Sequence, residues 1–418
     1  MQDKKRLGVI FGSRSCEREV AIISAVQLMK HVDRERFDVV PVYIDEHNVW
    51  YTGEPLLDIR SFQPFRPDAT GILRVFPDLT FGSGALLYME KGSGLFARQE
   101  LKTAARVDVF FVVMHGLNGE DGTLQGLLEL SGVPYTSADV GASALGMDKI
   151  LMKQFFRGAD LPVLPSLWYT ASAFHADGEA VLEEVTEKLG FPVFVKPAHL
   201  GSSIGVSRAE DPEELRDSLE LAFSYDRRVL VEKGLDRPIE LNCSVLGYDD
   251  DVVASPIEMP LSGEDFLDFS EKYLSQGGSK GMASLHRVLP APIEDSLRDE
   301  IQNLSKTIFR LMDCKGVVRI DYMFDRESEK IFITEINTIP GSLAFYLWEN
   351  AGMPYRELIS RMVDIALRAS EDKLSATYAF TSNILSSVSL GAKGAKGAKG
   401  SKWGGSGGQK LNAGKPET

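Results

Sequence analysis

Residues 317–341 carry acidic, amide and guanidinium side chains at a spacing that suits a cation site. The stretch VVRIDYMFDRESEKIFITEINTIPG predicts two strands joined by a charged turn and followed by a Pro-Gly loop. Because side chains alternate across a strand, Arg319 and Asp321 share one face of the first strand. Glu335 and Asn337 share one face of the second.

Pairing of the two strands as a hairpin would set Asp321 opposite Glu335. Two carboxylates about 4 Å apart repel by roughly 4 kcal/mol at an effective dielectric of about 20, so this cluster favours a bound cation. Oxygen ligands that leave room for water and phosphate suit Mg²⁺. The alternative is a solvated hairpin face whose charges pair with one another.

Further candidates follow apolar strands, where α/β proteins bind ligands. The run VDVFFVVM predicts a strand buried on both faces; it ends at His115, and HGLNGEDG then leads into a helix from about Gly122. Glu17 lies where the first helix is predicted to begin, and an acid there also complements the helix dipole without any further role. The preceding loop lacks the G-x-G-x-x-G fingerprint, so a nicotinamide cofactor is not indicated.

Three lysines are candidates for contacts with an anion. Lys149 and Lys153 lie on ASALGMDKILMKQFFRGADLPV, which predicts one amphipathic helix, although a helical lysine is usually solvated. Lys196 ends a short strand in GFPVFVKPAHLGSSIGVSRA and precedes a Gly-Ser loop whose amides can approach a phosphate. This loop does not match the P-loop pattern. RRVLVEKGLDRPIELNCSVLG predicts two further strands, and Glu232 and Glu240 flank their connection.

Length and composition limit the classes of protein that these elements can form. The 418 residues suffice for two or three domains, and 44% apolar with 25% charged residues is ordinary for a soluble globular enzyme. A formal charge of -14 argues against nucleic acid as a partner. The three scattered cysteines indicate neither a disulfide framework nor a zinc site, which favours a reducing compartment. Because the sequence has neither a signal-peptide pattern nor an apolar window of about 18 residues, we expect a cytoplasmic protein without membrane contact.

Three further stretches lack the clear periodic patterns of buried helices and strands. Residues 50–105 are loop-rich with weak strands such as ALLYM. Residues 262–290 form a long polar, Gly-rich span, which indicates either disorder or a functional lid. Beyond about residue 385, repeated Gly, Ala and Lys cannot bury a core and predict a flexible tail.

Taken in order, the motifs HGLNGEDGTLQG, MDK, FVKPAHLGSSIGVSRA, RIDYMF and TEINTIPG make the chain resemble the D-alanine-D-alanine ligases of the ATP-grasp superfamily. The resemblance covers about residues 5 to 370 and implies an α/β (α+β) fold, the ATP-grasp fold with an N-terminal Rossmann-like pre-ATP-grasp domain. It implies an N-terminal α/β domain at 1–145 and a central ATP-grasp subdomain at 146–232. A C-terminal ATP-grasp subdomain at 233–372 would contain the lid loop at about 262–290, with the flexible tail at 386–418. It also implies a homodimer.

The resemblance assigns the nucleotide and metal contacts residue by residue. Lys149 and Lys196 would hold the ATP phosphates, under a loop that contains Ser202 and Ser203. The remaining contacts that it implies are Glu232, Lys233 and Leu235 at the adenine, Glu240 at the ribose, and Asp321, Glu335 and Asn337 at two Mg²⁺ (or Mn²⁺) ions that bridge the β- and γ-phosphates.

The implied reaction joins two D-alanine molecules for peptidoglycan precursor synthesis. The γ-phosphoryl group of ATP passes to the carboxylate of the first D-alanine, and the amine of the second then attacks the acyl phosphate. The resemblance implies that Glu17 and His115 fix the first D-alanine. Arg319 and the backbone amide of Gly341 would stabilise the oxyanion.

The resemblance also bears on the lid and on the acceptor. Acyl phosphates hydrolyse in water, so a lid is required, and Lys272 and Tyr273 match the lid pair of the family. Tyr273 would reach Glu17 and Ser202, and its presence favours an amino-acid acceptor, because the branch that makes D-alanyl-D-lactate lacks it.

Two departures from the family pattern concern the acceptor and the lid. After NTIPG the stretch SLAFYLWE is shorter than the Ser/Thr-rich segment that binds the acceptor carboxylate in the family, so Ser342 and Tyr346 are the candidates here. The lid carries an additional GGSKGMASLHR, from which Lys280 or Arg287 could supply positive charge unless they are solvated loop cations.

Two alternatives to the leading function stay open. The first keeps the fold and the first substrate but takes D-serine or D-lactate as acceptor. The second is a noncatalytic nucleotide-binding protein, which would lack a metal ligand or a lysine, and none is missing here.

Overall fold

The computed structural model describes residues 3–91, 98–261 and 287–377. The predicted lid pair, Lys272 and Tyr273, the cation candidate Lys280 and the predicted tail lie outside these ranges. Three sheets carry the candidate residues, and they belong to one compact unit that ends at Leu374.

The N-terminal sheet contains the first apolar strands of the chain. Its strands are β1 (Lys5–Gly12), β2 (Phe37–Ile44), β3 (Trp50–Thr52), β4 (Leu73–Pro77), β5 (Ala85–Lys91), β6 (Gln99–Arg106) and β7 (Val109–Val113), in the order β6-β5-β4-β3-β2-β1-β7. β1 pairs in parallel with β2 and β7, and the other pairings are antiparallel. All five residues of β7 are buried, which confirms the prediction made from VDVFFVVM.

Residues 50–105, predicted to be loop-rich with weak strands, contain more strand structure than expected. This span supplies β3, β4, β5 and nearly all of β6. Most residues of β6 are exposed, so the strand has no clean alternation of buried and exposed positions that a sequence pattern would reveal.

Two helices lead out of the N-terminal sheet towards the candidate residues. α1 (Arg18–His31) begins directly after Glu17, as predicted, and buries Ala25, Leu28 and Met29. α2 (Thr123–Ser131) follows Gly122, whose φ of +86° is in the left-handed region that glycine adopts without strain.

The single helix predicted for the MDK segment is wrong, because Asp148 divides it into α3 (Val140–Met147) and α4 (Lys149–Gly158). The Asp148 carboxylate accepts hydrogen bonds from the backbone N–H groups of Ile150 and Leu151 at 3.0 and 3.1 Å. Such an N-cap starts a new helix, so Lys149 becomes a first-turn residue.

The central sheet is antiparallel, with strands β8 (Ser166–Thr170), β9 (Val193–Pro197), β10 (Ser207–Ala209) and β11 (Arg228–Lys233) in the order β10-β9-β11-β8. This confirms the strand that places Lys196 near its end. The helices α5 (Ala171–Ala176), α6 (Gly178–Lys188) and α7 (Pro212–Tyr225) accompany it. Buried Val185, Val195 and Leu219 belong to the shared core of sheet and helices.

The C-terminal sheet contains β12 (Ile239–Tyr248), β13 (Asp251–Ala254), β16 (Lys315–Asp325) and β17 (Lys330–Asn337) in the order β13-β12-β16-β17. A separate two-stranded ribbon pairs β14 (Met259–Pro260) with β15 (Arg287–Val288). Helix α8 (Asp295–Leu311) covers the sheet through Ile301, Ile308 and Phe309, as its amphipathic pattern indicates.

The last described segment returns to the N-terminal sheet. After a turn at Gly341–Ala344 come α9 (Phe345–Asn350) and α10 (Tyr355–Ser375). Leu347, Trp348 and Leu358 share one apolar core with β1 and β7, which holds the turn after Pro340 against α1. Within the described ranges no helix has both the length and the apolar character needed to cross a membrane.

Candidate active site

The predicted hairpin has the register that the sequence indicates. β16 and β17 pair antiparallel with Asp321 opposite Glu335 and Arg319 opposite Asn337. A bulge follows Asp321, and the Thr334 hydroxyl donates to the Asp321 carbonyl oxygen at 2.7 Å within it. The four predicted side chains therefore lie on adjacent strands at one end of the hairpin.

Arg319 and Asp321 form a bidentate ion pair. The Arg319 Nε and Nη2 atoms lie 2.6 and 2.7 Å from the two Asp321 oxygens, and the Asn337 amide donates to Asp321 Oδ2 at 2.9 Å. Burial alone would lower the pKa of Arg319, but the Asp321 carboxylate outweighs it and raises that pKa well above its usual value. Arg319 therefore stays charged at any working pH.

The donor set of this cluster fits Mg²⁺. Two opposed carboxylates and an amide are hard oxygen ligands, and a carboxylate has about four lone-pair sites, so contacts to Arg319 and Asn337 leave it able to bind a cation. No group of three or more His, Cys, Asp or Glu side chains suited to a metal is found among the residues that the structure describes. A metal held by Asp321, Glu335 and Asn337 would therefore need oxygens from a substrate or water.

Glu17 and Ser202 meet although 185 residues separate them in the sequence, and the Ser202 hydroxyl donates to Glu17 Oε1. Two glycines allow the approach: a Cβ added to Gly116 would lie 2.4 Å from Glu17 Oε2, and one on Gly201 would lie 2.9 Å from it. Beside this contact is a cavity of about 70 Å³, lined in part by Glu17, Gly201 and Ile204. The N-terminal loop and the Gly-Ser loop thus form one small pocket whose lining is mainly apolar, with the Glu17 carboxylate beside it.

His115 is buried and neutral. One ring nitrogen, Nδ1, lies 2.9 Å from the Ile339 carbonyl oxygen, so Nδ1 carries the proton, and Nε2 lies 3.3 Å from the Ser24 hydroxyl. Burial lowers the pKa of His115 to about 4. His115 therefore carries no positive charge, and both of its ring nitrogens have partners within the protein, so a substrate would contact Nε2 only in place of Ser24.

Glu120 is a residue that the sequence reasoning did not single out. Its carboxylate accepts the backbone N–H groups of Gly116 and Ile339, both at 2.9 Å, and so joins the HGLNGEDG loop to the segment before Gly341. Burial and the nearby charge of Glu17 raise the pKa of Glu120 to about 8. The signal in the sequence is an acid between two glycines in a loop at a strand end.

The three candidate lysines all turn inward. Lys149 Nζ donates to the Leu200 carbonyl oxygen at 2.5 Å, and Lys196 Nζ donates to Glu232 Oε2 at 2.6 Å. Lys153, for which solvation is the usual expectation, is 1% exposed; it donates to the Ile333 carbonyl at 2.7 Å and pairs with the other oxygen of Glu232. The sequence does not reveal this buried Lys-Glu-Lys arrangement, because it depends on packing between α4 and β11.

A second ionic cluster, at the start of the Gly-Ser loop, was also missed. His199 Nδ1 lies 2.7 Å from Asp226, and its Nε2 lies 3.2 Å from Asp148, which also pairs with Arg228. Hydrogen bonds to Asp148 and Asp226 raise the pKa of His199 to about 9. The cluster ties the N-terminus of α4 to the loop that carries Ser202.

The turn after Pro340 has an unusual backbone. Ser342, Leu343 and Ala344 have φ angles of +49°, +58° and +48°, and all three are buried. The Ser342 N–H donates to Ser24 Oγ and its hydroxyl donates to Gln27 Oε1, both at 3.3 Å. Consecutive left-handed residues without glycine store strain, and such strain collects at functional sites.

The remaining predicted residues differ in burial and in their contacts. Lys233 Nζ donates to the Leu189 carbonyl at 2.7 Å, Leu235 is half-buried and Glu240 is exposed. Ser203, like Ser202, has a positive φ, 59°, in the turn between Gly201 and Val206. Tyr346 is buried, and its hydroxyl donates to Glu258 Oε2 at 2.8 Å.

Known protein families match both halves of the chain. Family models described as the N-terminus and the C-terminus of D-Ala D-Ala ligase match residues 6–138 and 155–364. The chain is 38% identical to the D-alanine-D-alanine ligase of Acetivibrio thermocellus over 90% of this chain and 99% of the relative. It is 39% identical to that of Heliobacterium modesticaldum, over 88% and 96% of the two chains.

Solved structures give the same result. The D-alanine-D-alanine ligase of Coxiella burnetii superposes with a TM-score of 0.71 at 25% identity, over 89% of this chain and 96% of that one. The VanG D-Ala:D-Ser ligase of Enterococcus faecalis superposes with a TM-score of 0.73 at 29% identity, over 87% and 100%. With both family models matched and relatives more than a third identical over nearly their whole length, the chain belongs to the D-alanine-D-alanine ligase family.

Proposed function

We propose that this chain joins two D-alanine molecules at the junction of its three sheets, through a D-alanyl phosphate. The chain is an ATP-dependent, ADP-forming ligase by family, and the proposal concerns which residues do the chemistry. The observation that carries it is that Ser202 of the Gly-Ser loop contacts Glu17, which precedes α1, and that the buried Lys149 interacts electrostatically with both Glu17 and Glu335 of β17.

In the first step a carboxylate oxygen of the first D-alanine attacks the γ-phosphorus, and ADP leaves. Lys149 and Lys196 would neutralise the phosphates, with the Ser202-Ser203 turn over them. Lys196 now pairs with Glu232, so ATP would take over part of that contact. The adenine would lie against Glu232, Lys233 and Leu235, and Glu240 would reach the ribose. Glu17 would bind the ammonium group of this D-alanine, and neutral His115 would contact it through Nε2 in place of the Ser24 hydroxyl.

In the second step the amine of the acceptor attacks the acyl carbon and phosphate leaves with the former carboxylate oxygen. The Arg319 guanidinium and the Gly341 N–H would stabilise the tetrahedral oxyanion. Removing one such donor typically costs about 10²-fold to 10³-fold in rate. The turn with Ser342, together with Tyr346, would face the acceptor.

Asp321, Glu335 and Asn337 would hold two Mg²⁺ ions, and Mn²⁺ is the expected substitute. The metal supplies charge neutralisation of the β- and γ-phosphates when bound. The residues themselves keep their positions through the β16-β17 register and the bidentate contact of Arg319.

The wider organisation is part of the same proposal. We place domain boundaries near residues 145 and 232, because β7 of the N-terminal sheet ends before the first and β11, the last strand of the central sheet, ends at Lys233. A homodimer is expected from the family, and sedimentation velocity would test it. A cytoplasmic location follows from the need for ATP.

The test is phosphate release from ATP with D-alanine alone, with D-alanine plus D-serine and with D-alanine plus D-lactate, each product being identified by mass. The dipeptide of D-alanine as main product supports the proposal. A predominant D-alanyl-D-serine product would move the acceptor assignment to that of the VanG relative, and no turnover with any acceptor would leave nucleotide binding alone.

A further inference from the structure

A buried cluster beside the proposed oxyanion donors contains an arginine that the mechanism above does not use. The Cζ atom of Arg287 lies 3.9 Å from the centroid of the Tyr346 ring, and its Nη1 lies 2.9 Å from Glu258 Oε1. The Arg287 and Glu258 side chains are 9% and 5% exposed. A charge held this far from water is costly, so its position calls for an explanation.

The backbone places this cluster next to the catalytic face. Glu258 and Asn242 exchange two backbone hydrogen bonds at 2.9 Å, and Asn242 pairs with Asp321 across β12 and β16. Arg287 enters from the β14-β15 ribbon, where it pairs with Pro260. Arg319 interacts electrostatically with Tyr346 and Glu258 on this side. The cluster is therefore one strand away from the proposed metal ligands.

We propose that Arg287 binds the carboxylate of the acceptor D-alanine, while Glu258 and Tyr346 fix the plane of its guanidinium. The inference rests on the proposed function, which puts the acceptor amine near Arg319 and Gly341. A single carbon separates amine and carboxylate in an α-amino acid, so the acceptor carboxylate must lie close to that point.

Among the residues that the structure describes, the other charged groups of the site have roles elsewhere. Arg319 holds Asp321 with two nitrogens, and Lys149 and Lys196 belong to the proposed phosphate site. His115 is neutral. A guanidinium has five N–H donors in one plane, so Arg287 can bind a substrate carboxylate in addition to its contacts within the protein.

The competing explanation is that Arg287 and Glu258 only hold the β14-β15 ribbon. D-Alaninamide separates the two explanations, because it has the amine and the methyl group but no carboxylate. It cannot be phosphorylated, so it can enter the reaction only as acceptor. With D-alanine and D-alaninamide in competition, the dipeptide and the dipeptide amide are counted by mass in one reaction.

In the wild-type enzyme we expect strong preference for D-alanine as acceptor. In Arg287→Met we expect kcat/KM for D-alanine as acceptor to fall about 100-fold, the range for loss of one partner of a desolvated charge pair. The value for D-alaninamide should change less than about 3-fold, because that acceptor lacks the charge that a guanidinium pairs with. The KM for ATP should stay as it is. Arg287→Lys, which keeps the charge but loses the planar fork, should give an intermediate ratio.

The matched control is Arg368→Met, since Arg368 of α10 also lies over a tyrosine ring, at 5.5 Å from Tyr248, and beside a carboxylate, at 4.0 Å from Asp372. The Arg368→Met variant should leave the ratio of dipeptide to dipeptide amide unchanged. Equal losses with both acceptors in Arg287→Met, or an unchanged ratio, would overturn the inference and leave a structural ion pair. If the Met variant does not fold, the ratio in Arg287→Lys decides. Failure of the wild type to make the dipeptide would instead overturn the proposed function.

Discussion

Replacement of His199 by asparagine should lower the stability of this protein in a pH-dependent manner. His199 lies between Asp148 and Asp226, at 3.2 and 2.7 Å, in front of the Gly-Ser loop. Asparagine is neutral at every pH, so the variant removes the charge while a polar side chain remains. The difference in stability between the two proteins therefore reports the protonated imidazole.

The sign and size of this stability difference follow from the pKa of His199. The pKa of His199 is about 9 in the folded chain and about 6.5 in an unfolded one, so protonation favours the folded state. The contribution is fully present below about pH 6.5, declines between about pH 6.5 and 9, and is absent above that range. At about 1.4 kcal/mol per pKa unit, full coupling would give about 3 kcal/mol. The side chain is 36% exposed, and solvent screening reduces this to about 1–2 kcal/mol.

Urea unfolding followed by far-UV circular dichroism at pH 6, 7.5 and 9.5 measures the effect. We expect His199→Asn to lose about 1–2 kcal/mol at pH 6 and almost nothing at pH 9.5. His175→Asn, at an exposed histidine of α5, is the control and should show no such trend. A loss of the same size at all three pH values would refute the reasoning, because it would then come from packing and not from charge.

Three further substitutions test the site. Lys196→Ala should abolish phosphate release from ATP and leave the circular dichroism spectrum of a folded protein; a wild-type rate would remove Lys196 from the phosphate site. Lys153→Met should cost about 3 kcal/mol of unfolding free energy in urea, because it leaves the buried Glu232 with one partner fewer, and a cost below about 1 kcal/mol would contradict a buried ion pair. Gly116→Ala should reduce turnover at least about 10-fold, since the new Cβ displaces Glu17 and small displacements at a reacting centre are costly. Gly82→Ala controls for backbone strain, because its φ of +73° is similar to the +71° of Gly116 and no atom lies within 4 Å of the new Cβ; equal rates in the two variants would exclude the clash with Glu17.

The sequence predicts those parts of the site that depend on strands. Alternation along residues 317–341 correctly paired Asp321 with Glu335, because a hairpin with one buried face has a fixed register. The apolar run before His115 correctly gave a buried strand. Both signals are local and periodic, so no knowledge of the rest of the fold is needed.

The sequence does not predict contacts between side chains of different sheets. Nothing in the local pattern around Lys153 shows that Glu232 lies against it, or that Asp148, His199 and Arg228 form one cluster. The helix break at Asp148 has some signal in the sequence, because aspartate is a preferred N-cap. The apolar periodicity on both sides of Asp148 outweighs that signal. Such contacts depend on how α4 packs on β11, which only the folded chain determines.

Ile339 connects the proposed first-substrate site to the proposed oxyanion donor. Its carbonyl oxygen contacts His115 and its N–H donates to Glu120, and both partners lie in the HGLNGEDG loop after β7. Gly341, the proposed oxyanion donor, is two residues further along the chain. The same loop lies close to Glu17 at Gly116, so under the proposed function one segment would position both the first substrate and the oxyanion donor. Because Ser24 of α1 also contacts His115 and the N–H of Ser342, the strained turn is held from both sides. A substitution in the HGLNGEDG loop should therefore lower kcat and also raise the KM for the first D-alanine, because this loop contacts the residues proposed for both.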